Sequence, residues 1–420
     1  MPTWELTAGD TSSGGVYSSA DAFNSVAGRM AIADPEGRAQ VKVYSSYTWT
    51  NLYVRCTTFN PPNNNTVRSR KNGAFGNLTV TVSGTGAFQD TVNSDALVDQ
   101  DLICLQYTGI AAGDRNFSLW GSTLQDTGTN ITLQVASGGA TIAEGLTRYG
   151  PIAGRLNAAT GMATTESDVQ YTVRRATAYS NLRVFVGTNT IDNNSPFTFR
   201  KNIADGSQVA TITPLATGAF EDTTNSDSVV AGDEIDYSLV TGADPGFVAV
   251  HLAQLKHTST GREAATANPI GTSRTGDAFF GAEADASSTS TEVNSQIAAR
   301  AAFTASNLFV NVTAHGASSG VDFFLRQNTA NSALTVNVPQ NTTGLFEDTT
   351  NSVSIALTDL YNYFQDHGGG VGGITPTIIG MAQGPTDAIS GGGGKGYPTQ
   401  MFNSNRRHRS RAVGRGLRVP

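Results

Sequence analysis

The chain predicts an all-β protein: three tandem antiparallel β-sandwich domains, jelly-roll-like, followed by an extended basic C-terminal tail. Three observations predict it. A nine-residue string recurs as GAFQDTVNS from Gly86, GAFEDTTNS from Gly218 and GLFEDTTNS from Gly344, at spacings of 132 and 126 residues. Two further echoes keep the same order and nearly the same spacing. They are NLYV, NLRV and NLFV from Asn51, Asn181 and Asn307, and Arg70-Lys71-Asn72, Arg200-Lys201-Asn202 and Arg326-Gln327-Asn328. A period near 130 residues is the size of a whole domain rather than of a solenoid repeat. Finally, only 15% of the residues are charged while Gly, Ser, Thr and Asn abound, which suits twisted sheets with many turns better than long surface helices. The boundaries follow as residues 1–127, 128–259 and 260–387 for the three modules, with 388–420 as the tail.

Each module reads as seven or eight short strands. The run around Gln170–Arg175 and its counterpart AQVKVY alternate polar and apolar residues, the period of a half-buried strand. In the third module EVNSQIAARAAF alone would pass for a helix. Its alignment with the other two copies, Glu292 with Glu36 and Glu166, and Gln296 with Gln40 and Gln170, argues for the same strand in all three. The NLRVFVGT strand follows, then a loop (PPNNN, DNNSP, HGASSG). Next come a strand ending in Arg-Lys-Asn, an alternating strand (LTVTV, VATITP, LTVNV), and the FEDTTNS element, read as an Asx-type turn. A Val/Ile-rich strand, a D-x-I/L stretch and a last apolar strand close the module. Gly/Thr stretches near 126–130 and 258–270 read as joints. Turn signals at this spacing point to a sandwich or jelly roll.

Few residues propose chemistry. The five histidines do not recur between copies and make no metal spacing. Gly316–Gly320 matches G-x-S-x-G beside His315, but the motif needs a strand-to-helix elbow, and here it falls in a hairpin loop. Asp90, Asp222 and Asp348, each with an Asn three residues on, have oxygens for calcium. An Asx turn is the simpler account, because calcium takes six or more oxygens. Arg70, Arg200 and Arg326 are expected to pair with a carboxylate of their own module. No catalytic residue, cofactor or metal site is expected. Cys56 aligns with Val186 and Val312, an inward position. Cys104 aligns with Asp236 and Asn362, read as outward. The two are therefore expected to be free thiols, suited to synthesis in a reducing cytosol. The N-terminal MPTWELTAGD has neither a basic nor an apolar targeting region, and no stretch approaches a membrane span.

The tail stands apart. Lys395, Arg406, Arg407, Arg409, Arg411, Arg415 and Arg418 lie in residues 388–420 without one Asp or Glu. A net charge of −7 overall and +7 in the tail leaves −14 for the rest of the chain. Such asymmetry marks a segment made for an acidic partner. Only two aromatic residues, Tyr397 and Phe402, are interleaved, so a protein surface fits better than nucleic acid.

The string SNLRVFV … FTFRKN … VATIT … TGAFEDTTNSDSVVAGDEIDYSLV resembles the repeated modules in virion surface proteins of tailed bacteriophages, which are similar to tumour-necrosis-factor-like jelly rolls. The resemblance covers about 120 residues of each copy and so nearly all of residues 1–385. Copy three departs with Gln327 in place of Lys and LTDL in place of the Gly-Asp of VVAGDEI, and copy one has DQDL there. The resemblance implies a non-enzymatic structural role on the virion exterior, in a protein made in the host cytoplasm and not secreted. The expected function is a capsid decoration or head-fibre subunit. The expected partners are other virion proteins, capsid or tail subunits, bound through the tail, with homo-oligomerisation and no membrane. The alternative is a tail-associated adhesin or tail-fibre protein that binds host-surface glycans, for which Trp4, Trp49 and Trp120, all in copy one, are the candidate aromatic residues.

Overall fold

In the computed structural model the described residues are predominantly β-strand, and the architecture is all-β with multi-stranded antiparallel sheets. The structure describes residues 3–9, 15–16, 21–29, 35–60, 63–109, 115–126, 130–156, 162–258, 262–267, 273–282 and 288–384. Residues Met1–Thr386 form one compact unit, and Asp387–Pro420 a second that lies outside the described residues.

The strands of each third of the unit make two sheets of their own. In the second third, one sheet runs in the order Gly154–Arg155, Ile131–Ala143, Phe247–Thr258, Thr177–Asn189, Gly218–Val229. The other runs Thr147–Gly150, Glu234–Val240, Ser195–Lys201, Ala204–Ile212, with Tyr171–Thr172 added on Glu234–Val240. The same order recurs in the first and third thirds. The two kinds of sheet differ in burial. Ala204–Ile212 ends in a strict alternation of buried and exposed residues, so one of its faces meets solvent. Ile131–Ala143, Phe247–Thr258 and Ile374–Gly384 are buried on both faces over most of their length. These inner sheets are covered on one side by their own module and on the other by a neighbour.

That second cover is cyclic. Leu119 packs with the core of module three, Leu252 with that of module one, and Ile378 with that of module two. The three are equivalent: they lie opposite Arg55, Phe185 and Asn311, which hold one position in the NLYV, NLRV and NLFV strands. Each module thus leans its inner sheet on the preceding one, and module one leans on module three. Three sandwiches on one chain close into a ring.

Several local expectations are corrected. GAFEDTTNS is not a turn between strands but part of one continuous strand, Gly218–Val229, as are its counterparts. The register shifts where Asn181, at φ 55°, faces residues 223–225, so the motif is a bulge. The stretch read as a first strand holds a strand of only two residues in every copy, Val41–Lys42, Tyr171–Thr172 and Ile297–Ala298, preceded by a single 3-10 turn at Glu36–Arg38, Glu166–Asp168 and Glu292–Asn294. The alignment held: copy three has the same turn and short strand as the others. Phe88, Phe220 and Phe346, expected from their fixed place before the aspartate to be equivalent and mostly buried, are each partly buried against their own module's core. Cys104 is buried, as are Asp236 and Asn362, all at 0% exposure. Polar residues there suggested solvent, whereas Cys104 donates to Glu36 and Asp236 lies beside Glu166, each a member of a half-buried ion pair, and Asn362 donates to Ser295. Both cysteines are free.

Candidate functional site

The repeated residues are absorbed by bonds inside each module. Arg200 donates from Nε and Nη2 to the two oxygens of Glu166 (2.9 and 3.0 Å). Arg70 does the same with Glu36 (3.2 and 2.8 Å), and Arg326 with Glu292 (2.9 and 3.0 Å). Each guanidinium also lies near an aromatic ring, Phe23, Tyr149 or Phe279. This is the bidentate, stacked geometry for which Arg is suited. Each also donates to a carbonyl three residues on, Gly73, Ile203 or Thr329, closing the following hairpin.

The neighbouring Asn adopts the left-handed conformation, with φ of 51°, 52° and 49° at Asn72, Asn202 and Asn328. Its amide donates to Asp101, Asp233 or Asp359 (2.6, 2.8 and 2.7 Å). The departures in copies one and three thus keep the essential aspartate. Gln327 likewise replaces Lys without loss: its Nε2 reaches the Ser354 carbonyl at 3.0 Å, as Lys201 reaches Ser228 at 2.9 Å.

Asp222 accepts from the backbone N–H groups of Val209 (2.9 Å), Thr224 (3.0 Å) and Asn225 (3.1 Å) and from the Asn225 amide (2.9 Å). Val209 belongs to the opposite sheet, so the carboxylate ties the two sheets at the bulge. Asp90 and Asp348 repeat the set. Burial opposes ionisation of all three, but the donors win and hold each carboxyl below its ordinary range. With their oxygens filled by N–H donors, these aspartates are poor calcium ligands. No group of three or more His, Cys, Asp or Glu among the described residues is placed to hold a metal ion.

The G-x-S-x-G loop is not an elbow. It joins Phe303–His315 in one sheet to Val321–Gln327 in the other, so it is a crossover between the sheets and not the hairpin loop expected from the sequence. Ser318 Oγ accepts from the Val371 N–H (3.0 Å) and Ser319 Oγ donates to the His367 carbonyl (3.5 Å), so neither serine bonds a histidine ring. Trp4, Trp49 and Trp120 are all core residues and offer no surface for a sugar ring. Among the described residues no helix is long and apolar enough to cross a membrane. Lys395, Arg406, Arg407, Arg409, Arg411, Arg415 and Arg418 lie outside the described residues.

What the sequence did not indicate are the three seams of the ring. Between modules one and two, Lys42 pairs with Glu221 (2.8 Å) and the Tyr44 hydroxyl donates to the same carboxylate (2.8 Å). Arg183 donates to the Gln40 carbonyl (3.1 Å), and the Gln254 amide brackets the backbone of Lys42 (3.0 and 2.9 Å). Between two and three, Arg174 pairs with Glu347 (2.7 Å) and lies over the ring of Phe309, whose edge meets Tyr171. Between three and one, Arg300 donates to Gln89 (2.7 Å) and lies over Tyr53. There Glu5, fully enclosed, accepts from the N–H groups of Arg300 and Ala301 and from the Tyr361 hydroxyl (2.6 Å). Burial nonetheless pushes its carboxyl above the ordinary range, against these donors. Tyr44, Arg174 and Arg300 hold one alignment position, and Glu221, Glu347 and Gln89 another. One of these positions lies inside the repeated string, as Gln89, Glu221 and Glu347, but repetition alone does not show that its partner is in another module.

Comparison with known proteins finds no family model that matches the chain and no matching curated protein.

Proposed function

We propose that the chain is a non-enzymatic structural protein of a tailed-phage virion exterior, a capsid decoration or head-fibre subunit anchored by its basic C-terminal tail. The observation that carries the reading is the fate of the repeated polar residues. The Arg–Glu pairs, the Asn–Asp clasps and the bulge aspartates at the repeated positions are engaged in bonds within their own module, which makes stable lobes rather than a reactive cleft. A second observation bears on orientation. Gly384 lies opposite Thr304, Thr3 opposite Gln125, and Ile131 opposite Thr258. The first strand therefore begins, and the last strand ends, at the end of the unit where the modules are joined. The loops 190–194 and 316–320 sit at the other end. Several modest contacts on one chain act at high effective concentration, so the tail needs no large interface.

The test is deletion after Ile389. The truncated chain is expected to fold with an unchanged melting temperature and to be missing from purified particles, while full-length protein is present in many copies per particle. Incorporation of the truncated chain at full occupancy would overturn the anchor. A few copies confined to the tail would favour the glycan-binding adhesin.

A further inference from the structure

We propose that the three seams encode the order of the modules, so that each seam accepts the following module of the same chain and not a second copy of this chain. The linkers cannot impose this closure. Asp126 and Ile131 end and begin adjacent strands, as do Thr258 and Arg262, so short linkers hold module one beside two and two beside three. No linker holds three beside one. That seam is the one that a second chain would occupy if the ring opened, giving head-to-tail association. It also holds a buried polar network built on Glu5.

Mismatched seams would fail for identifiable reasons. If module two leaned on module three instead of module one, Arg300 would meet Arg183, and two guanidiniums would share the one carboxylate of Glu221. If module two took the place of three beside module one, Glu5 would lose its hydroxyl donor. The residue equivalent to Tyr361 is Ile235, since each pairs with the strand residue aligned at Ile297 and Tyr171. A buried carboxyl deprived of a donor is among the more destabilising changes available to a protein. In the same arrangement Arg174 would face Gln89 without the carboxylate of Glu347. Unpaired charges of this kind discriminate between partners more strongly than matched contacts attract them.

Two rearranged full-length chains test the order. One is a circular permutant, modules two-three-one, with residue 384 joined to residue 3 by a flexible linker. It keeps every seam. The other is the transposition one-three-two, which keeps none. The permutant is expected to be monomeric and to melt within a few degrees of the parent. The transposed chain is expected to melt at least 10 °C lower or to associate. Equal melting of the two rearrangements would overturn the proposal. A second measurement covers failure of the transposed chain to fold at all. Protease sites are placed in 127–130 and 259–261 of the parent, the folded protein is cleaved, and it is mixed with cleaved, isotopically labelled protein. Native mass spectrometry is expected to show only complexes of one copy of each module. Complexes with two copies of one module would overturn it. The proposal is independent of the virion reading, since neither test involves a particle.

Discussion

The locks inside each module and the seams between modules are both built from buried polar side chains, yet they have diverged to different degrees. The Arg–Glu pair, the Asn–Asp clasp and the aspartate at the bulge keep the same residues, distances and donors three times. The seam positions change chemistry each time: a tyrosine on a glutamate, an arginine on a glutamate, an arginine on a glutamine. A lock answers a requirement that every copy shares, since each sandwich must join its two sheets and close its hairpins. A seam answers only to its one partner, so its two sides can change together.

The largest effect should come from breaking a lock. Replacing Asp222 by Ala removes the acceptor for three backbone N–H groups and one amide. Donors left unsatisfied at a buried site cost about 1–3 kcal/mol each, less where water reaches them, so a loss of about 3 kcal/mol in urea unfolding is expected. Asp90→Ala and Asp348→Ala should cost the same within about 1 kcal/mol. Three clearly different values would mean that the locks are less alike than their geometry.

Seam changes should be smaller and unequal. Arg174→Ala leaves Glu347 without its partner and uncovers the ring of Phe309, for a loss of about 2 kcal/mol. Tyr44→Phe removes one hydroxyl that donates to Glu221, which Lys42 still neutralises, for a loss of about 1 kcal/mol. Only the Arg174→Ala effect should shrink in 1 M salt, where screening already weakens the ion pair of the parent. Equal losses, both insensitive to salt, would erase the distinction between charged and neutral seams.

The same contrast explains what was legible in the sequence. The all-β class and the pairing of Arg70, Arg200 and Arg326 with their own module followed from repetition, because a lock kept three times leaves the same letters three times. The ring did not follow, because Leu119, Leu252 and Ile378 read as ordinary core residues and neither polar seam position keeps one residue in all three copies. Cys104 failed for a related reason. Its equivalents Asp236 and Asn362 suggested a solvent face, but a polar residue is also at home beside a half-buried Arg–Glu pair, and spacing alone does not tell these apart. The bulge at FEDTTNS was taken for a turn because Asx hydrogen bonding occurs in both.

The smallest expected effect sharpens the comparison most, because it concerns a position beside a lock that has been allowed to vary. Asp236 is buried against the lock carboxylate Glu166. Burial first, and then the charge of Glu166, push its carboxyl up to about 9, with Arg200 opposing. At neutral pH the folded protein therefore keeps a proton that the unfolded chain, with an ordinary carboxyl, releases. Stability from this site is complete below about pH 4 and is lost progressively as the pH rises toward 9. Module three carries Asn362 instead, whose amide donates to Ser295 (2.9 Å) at any pH. Asp236→Asn should likewise offer Glu166 a permanent N–H donor. The variant is expected to melt closest to the parent at pH 5 and increasingly above it as the pH rises to 9. An equal shift at both pH values would show that Asp236 does not retain its proton. A loss at pH 9 would show that the site needs a carboxyl.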